Sequence, residues 1–394
     1  MAESIDQLFV NLKHWILGWP LWPETLLPVL SAILSIAPLM MTFASLFAVA
    51  TILERKGLGR IQNRYGPNRV GPFGLLQPMA DGIKTLTKED VVPRVADKAV
   101  HFIAPLVLVV PAFLVYSVLP VGRNMVLVDF DAGVLFFFAV GAAMQISVFM
   151  AGWSSRNKYS LLGAMRGLAQ MISYEIPLIL SAVTVIMAVG SLSTVSIVEA
   201  QGGYHHGWMP NWFVLTPWGF AAFLVFMVAA TAESNRSPFD LPEGESEIVA
   251  GYYIEYSGFK FALFFLGEYL GLFAISGLGI TLFLGGWHAP LPFLEWIPSW
   301  AWFFGKLLAL LLVFIWVRGT LFRLRQDQLM NFAWKFMLPM ALASIIAQGL
   351  WHFMPAGPAR WFVTSALIVA PYLLLGRGLM AQKRVGKRIY RYAG

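Results

Sequence analysis

Three glutamates stand in stretches of sequence otherwise built for hydrocarbon. Glu175 sits in Ser173-Tyr174-Glu175-Ile176-Pro177, Glu233 closes a small-residue apolar run, and Glu268 lies in Phe265-Leu266-Gly267-Glu268-Tyr269. An ionisable side chain inside a bilayer costs several kcal/mol unless it is neutral, paired or wetted. Such a group therefore either exchanges protons or is held by a partner. At about 1.5 Å per residue, Glu175 falls roughly 13 Å beyond Arg166 and Glu268 roughly 12 Å beyond Lys260. Pro177 lacks an N–H and so frees the Ser173 carbonyl beside Glu175. Three carboxyls at similar depth read as a polar path for protons, although a paired structural glutamate accounts for any single one.

More acid follows. Residues 233–268 hold seven acids (Glu233, Asp240, Glu243, Glu245, Glu247, Glu255 and Glu268) against two bases, Arg236 and Lys260. Glu243, Glu245 and Glu247 alternate and repel one another, which predicts some raised, coupled titrations. A run of acids is usually a solvated face. Apolar spans on both sides favour a buried, water-lined cluster here.

A basic, turn-rich segment lies nearer the N-terminus. Glu54-Arg55-Lys56-Gly57 opens a loop continuing as Arg64-Tyr65-Gly66-Pro67-Asn68-Arg69-Val70-Gly71-Pro72, whose two Gly-Pro pairs force turns. Leu76, Met79, Ile83 and Leu86 then recur at helical spacing, while Asp81, Lys84 and Lys88 form a charged face. The pattern predicts an interfacial amphipathic helix beginning near Phe73 and bent by Pro78.

The elements that must position these residues follow from composition. Of 394 residues 58% are hydrophobic and 12% charged, with a mean hydropathy of +0.68. A soluble domain carries about a quarter charged residues, so lipid is the solvent here. A crossing helix needs about 20 apolar residues. Nine stretches qualify: 26–53, 101–122, 133–153, 168–189, 216–236, 261–284, 300–320, 333–353 and 360–376. The expected fold is an all-α, polytopic helix bundle forming one membrane domain, with core helices at about 26–353 and an extra C-terminal helix and basic tail at about 360–394. Met1–Asp6 lacks the basic region of a secretory signal, so the first apolar stretch should remain as a span.

Orientation follows from the basic residues. With the N-terminus periplasmic and the C-terminus cytoplasmic, 24 Lys and Arg fall on the cytoplasmic side and 4 on the other. Their dispersal over short loops argues against nucleic acid as a partner. With no cysteine, thiolate-held clusters and disulfides are not expected, and the six scattered histidines offer no metal-ligand spacing.

The same motifs resemble the quinone-channel subunit in the membrane arm of bacterial NADH:quinone oxidoreductase, respiratory complex I. One signature is Glu54-Arg55-Lys56 with Arg64 to Pro72 and Leu75-Leu76-Gln77-Pro78-Met79-Ala80-Asp81. The other runs from Ala232 to Glu247, with Gly244 where the family often has Ala, and further likeness lies at Glu255-Tyr256-Ser257-Gly258 and Arg323 to Leu329. The resemblance implies a quinone tunnel entered from the bilayer near the first and sixth spans and the amphipathic helix, involving Glu54, Arg55, Arg64, Asp81, Lys84, Phe239, Arg318, Arg323 and Arg325. It implies a proton path through Glu175, Glu233, Asp240, Glu243, Glu245, Glu247, Glu255 and Glu268. It also implies no redox centre or metal on this chain, quinone as substrate, and FMN and iron–sulfur clusters on partner subunits. Those partners would be peripheral-arm quinone-site subunits and antiporter-like membrane subunits, in a bacterial inner membrane. A free-standing proton or cation transporter, the anchor subunit of a membrane-bound hydrogenase and a purely structural anchor are the other readings.

Overall fold

Helices begin where a side chain or proline relieves the free backbone N–H groups of the first turn. The computed structural model describes residues 6–18, 26–205, 207–242 and 244–380. A short α1 (Leu8–Leu17) precedes α2 (Leu27–Ile61), α3 (Gln77–Thr87), α4 (Lys98–Leu114), α5 (Gly133–Ser154) and α6 (Lys158–Val189). There follow α7 (Thr194–Glu199), α8 (Pro217–Glu233), α9 (Glu245–Ile248), α10 (Gly258–Phe283), α11 (Ser299–Thr320), α12 (Gln326–Phe332), α13 (Leu338–Phe353) and α14 (Pro358–Met380). A wider turn over Ala333–Met337 joins α12 to α13 in one helix of 28 residues. The small hairpin of β1 (Tyr204–His205) and β2 (Met209–Pro210) pairs His205 with Met209.

All nine expected spans are helical, and eight described helices are long and apolar enough to cross a membrane, α4 with the tight turn Val115–Val118 that extends it to 21 residues. The protein is a multi-pass membrane helix bundle. The exception is α8, whose 17 residues cover roughly 26 Å of a hydrocarbon core about 30 Å thick. Thr216 starts it by accepting a hydrogen bond from the Gly219 N–H at 3.2 Å. It ends at Glu233, because Asn235 then takes a left-handed conformation, φ 49°. Glu233 is thereby held at a helix end, next to an irregular segment that continues to residue 257.

At the centre is α10. Of its apolar stretch, 56% is buried inside the protein, against 6% for α14, so α14 is peripheral and α10 is the post around which the others pack. It meets α2, α4, α8 and α11. Gly267 makes room for α4: a Cβ there would lie 2.6 Å from Leu108. Gly163 on α6 does the same for the segment after α9, where a Cβ would come 2.7 Å from the Gly251 Cα.

Two expectations about the first basic segment need correction. Glu54 is not in a loop, since α2 continues unbroken to Ile61 and buries it. Hydropathy stops at Glu54-Arg55-Lys56, but the helix does not, because the Glu54 charge is compensated by partners from other elements. Nor does Pro78 bend the amphipathic helix. It occupies the first turn of α3, where proline removes no hydrogen bond, and the chain reaches it through a separate turn at Pro72–Gly74. The outward positions are as the spacing predicts, with Met79, Ile83 and Leu86 all exposed and α3 resting on α2 and α10.

Candidate functional site

Glu175 of α6, Glu233 of α8 and Glu268 of α10 line a single cavity. Its volume is about 60 Å³, and one water needs roughly 10–15 Å³, so a few waters fit. The remaining wall is largely apolar, including Leu108, Phe138, Met171 and Ile275. Gln145 of α5, itself buried, donates from Nε2 to Glu175 Oε2 at 3.1 Å and to Glu233 Oε1 at 3.2 Å. Glu233 Oε2 is buried and accepts no hydrogen bond from the described residues. Across the cavity, the Tyr252 hydroxyl donates to Glu268 Oε1 at 2.7 Å.

A second cluster surrounds Glu54. Its carboxylate accepts hydrogen bonds from Arg236 Nη1 at 3.0 and 3.2 Å, from Arg318 and from the Tyr269 hydroxyl. The Arg236 guanidinium also lies over the Tyr269 ring, 4.1 Å from its centre. A buried charge is tolerable only with partners of this kind. Beside the cluster is a smaller cleft of about 20 Å³, walled by Leu53, Leu272, Phe314 and Ile315. Arg318 is one-third exposed, so the cluster is not sealed. The cleft has room for about one water, between apolar walls and charged groups already paired with Glu54.

The two clusters share a wall. Glu268 and Tyr269 are neighbours on α10, one lining each cavity. Arg236 follows Glu233 within one turn of chain, and likewise belongs to the second cluster.

A third group sits where α2 meets α3. Arg55 donates to Asp81 Oδ2 at 2.5 Å, Gln77 donates to Oδ1 at 3.1 Å, and Lys84 Nζ lies 3.5 Å from Oδ1. Burial pushes the Asp81 carboxyl up, but the hydrogen bonds from Arg55 and Gln77 and the charges of Arg55 and Lys84 outweigh it. The net effect holds Asp81 below its ordinary value.

The remaining candidates are scattered. Arg64 is exposed and donates to Gln62 at 2.8 Å. Arg325 is exposed and makes a two-pronged pair with Asp327, both contacts at 2.6 Å. Phe239 is in the core against Tyr174, ring centres 5.3 Å apart. Glu255 accepts from Asn157 Nδ2 at 2.7 Å, and Asp240 follows Phe239 in the irregular segment. Glu243 and the side chain of Glu245 lie outside the described residues. Arg323 approaches Gly244, where a Cβ would come 2.9 Å from its Nη2. The absence of a side chain at Gly244 leaves that guanidinium its space.

Glu247 departs from the expected buried acidic cluster, whose other alternating members, Glu243 and the side chain of Glu245, lie outside the described residues. Its side chain is 49% exposed and pairs with Arg166 at 2.6 Å. The hydrogen bond and charge of Arg166 lower its affinity for protons rather than raising it. Alternate spacing implied a crowd of acids, but the arginine on α6 could not be seen in that spacing.

Sequence reading missed Gln145, Gln170, Tyr252 and Tyr269. Gln170 ties α6 to the end of α8 and to the segment after it, donating to the carbonyls of Ala232 at 2.8 Å and Phe239 at 2.7 Å. A polar amide in an apolar span is itself an anomaly, and that signal was available for both glutamines. Tyrosines carry no such mark, being common in membrane helices.

Residues 34–349 match the NADH dehydrogenase family. The H subunit of the NADH-quinone oxidoreductase of Dehalococcoides mccartyi (strain CBDB1) is 52% identical over 294 residues, 75% of this chain and 79% of that protein. Its counterpart in Geobacillus kaustophilus (strain HTA426) is 45% identical over 347 residues, covering 87% of this chain and 100% of that protein. An H-type NADH-quinone oxidoreductase subunit of Geobacter metallireducens is 46% identical over 328 residues, 81% and 95% of the two chains. Both clusters and the third group fall inside the matched region, while α1 and α14 fall outside it, and the chain belongs to the NADH dehydrogenase family of membrane proteins.

Proposed function

We propose that this chain is the membrane subunit of an NADH:quinone oxidoreductase that admits quinone from the bilayer and couples its reduction to proton translocation. The observation that carries this reading is the shared wall between a cleft with charged donors at Glu54 and a cavity lined by Glu175, Glu233 and Glu268. The basic end of the bundle, with α3 and the Arg55–Asp81 pair, faces the cytoplasm and the partner subunits. Those partners supply FMN, the iron–sulfur clusters and part of the quinone headgroup site, and antiporter-like subunits continue the membrane arm.

The quinone tail enters along α2, α3 and α10, and the head passes the Arg236–Glu54–Arg318 cluster on its way to the electron donor. Reducing a quinone adds two electrons and requires two protons. Unit charges about 4 Å apart interact by roughly 4 kcal/mol at an effective dielectric constant of 20. Negative charge arising on the quinone side therefore draws protons into nearby carboxyls. Arg236 and Tyr269 hold Glu54 and are close chain neighbours of Glu233 and Glu268, so a change in the hydrogen bonding of Glu54 alters the field at those carboxyls. Those carboxyls take up a proton from one side and release it toward the neighbouring subunits.

Glu233→Gln in the assembled enzyme tests the reading. NADH oxidation by an artificial acceptor that bypasses quinone should be unchanged, while quinone-linked proton pumping should fall at least 10-fold. Undiminished pumping would refute the path.

A further inference from the structure

Behind the cavity wall sits a residue that cannot carry a proton yet touches two of the carboxyls that line it. Gln145 offers a neutral amide, whose NH₂ group donates two hydrogen bonds and does not titrate. Both are used, one for Glu175 and one for Glu233, at 3.1 and 3.2 Å. The two N–H bonds of one planar amide diverge by about 120°, which sets the accepting oxygens roughly 5.5 Å apart. That is too far for a direct hydrogen bond between those two oxygens, which needs about 2.5–3.0 Å, and Glu233 Oε2 accepts none from the described residues. One bridging water, with a bond of up to about 3 Å on each side, reaches across. The cavity has the volume for it.

We propose that Gln145 is a positioning residue that makes Glu175 and Glu233 one water-bridged, proton-exchanging pair; this rests on the proton-path reading above. Three helices contribute: α5 the amide, α6 and α8 one carboxyl each. Without the amide, the carboxyls have two arrangements open to them. They can close into a direct hydrogen bond that traps a proton between them, or they can turn apart and lose the bridge. Either way, transfer across the pair slows. No Lys or Arg lines this cavity, so among its lining residues the groups that can respond are Glu175, Glu233 and Glu268, with the Tyr252 phenol opposite.

The test uses the assembled oxidoreductase in sealed membrane vesicles, comparing Gln145→Met, Glu233→Gln and the unmodified enzyme. Met keeps the length and removes the donors. NADH oxidation with ferricyanide reports assembly, and a pH-sensitive dye reports pumping between pH 6 and 9. The expected result for Gln145→Met is unchanged ferricyanide reduction, pumping reduced about 10-fold, and a pH optimum moved by about one unit. Unchanged pumping and pH profile in Gln145→Met, with Glu233→Gln inactive, overturns the positioning role and leaves the path standing. Unchanged pumping in Glu233→Gln overturns the path itself. If Gln145→Met fails to assemble, Gln145→Glu decides, since it keeps the length and polarity of the side chain but cannot donate to both carboxyls. Pumping in Gln145→Glu should fall about 10-fold, and undiminished pumping overturns the proposal.

Discussion

Glu268 and Tyr269 are consecutive on α10, yet they face different cavities, Glu268 lining the carboxyl cavity and Tyr269 donating its hydroxyl to Glu54 in the other. Successive helical residues point about 100° apart, so one turn of one helix serves both clusters. Tyr269→Phe removes the hydroxyl and keeps the ring under Arg236. A hydrogen bond to a charged group is worth about 1.5–3 kcal/mol, and the Glu54 carboxylate should become correspondingly less well held. The expected outcome is a several-fold rise in the KM for quinone with unchanged ferricyanide reduction. An unaltered KM would show that the hydroxyl does not shape the cleft.

Glu54 and Arg236 are both buried, and the consequences of breaking their pair are asymmetric. Removing one partner of a buried ion pair costs about 3–5 kcal/mol because the other charge is left behind. Glu54→Ala should therefore lower the thermal inactivation temperature of the assembled enzyme by several degrees. The double change Glu54→Gln with Arg236→Met removes both charges, and its stability should lie nearer that of the unmodified enzyme. Equal losses in the two would contradict this account of the cluster.

The pair between Arg166 and Glu247 makes a pH-dependent contact between α6 and α9. Arg166 holds the Glu247 carboxyl below its ordinary value, so the folded state favours the ionised form. The stabilisation is present above the ordinary value of 4.5 and is lost as pH falls through the lower folded value. The side chain is half exposed, so the effect is small, about 0.5 kcal/mol. Corrected for its intrinsic pH dependence, amide exchange around residue 248 should quicken as pH falls from about 5 to about 3, relative to Glu247→Gln, which should show no added acid sensitivity.

Much of this architecture was legible in the residues, for particular physical reasons. The spans were readable because a bilayer demands long apolar runs, and only α8 is shorter than expected, stopped by the turn at Asn235. The similar depth of Glu175, Glu233 and Glu268 was readable, but that they line one cavity depends on which helix faces meet. What could not be read was pairing across the bundle. Nothing local to Glu54 reveals Arg236 or Arg318, 182 and 264 residues away, so a charged triplet looked like the end of a helix. Arg166 neutralised an acid that spacing alone made look crowded. Gln145 was visible as an amide among apolar neighbours, but its two acceptors come from different helices.

Lys306 gives a prediction at the opposite end of the bundle. Its Nζ donates to three backbone carbonyls, Leu284 at 2.7 Å, Gly286 at 2.8 Å and His288 at 2.7 Å, and lies 4.1 Å from the centre of the Trp212 ring. These carbonyls end α10 and form the turn after it, where a cation also complements the helix dipole. Leaving a buried carbonyl unsatisfied costs about 1–3 kcal/mol. Lys306→Met should therefore destabilise the turn by about 3 kcal/mol or more and expose the Gly285-Gly286 bond region to protease. Lys306→Arg should restore little, because a planar guanidinium cannot converge on three carbonyls as a compact ammonium does. Full protection in Lys306→Arg would mean that charge alone, and not the geometry of the ammonium, fixes this end of α10.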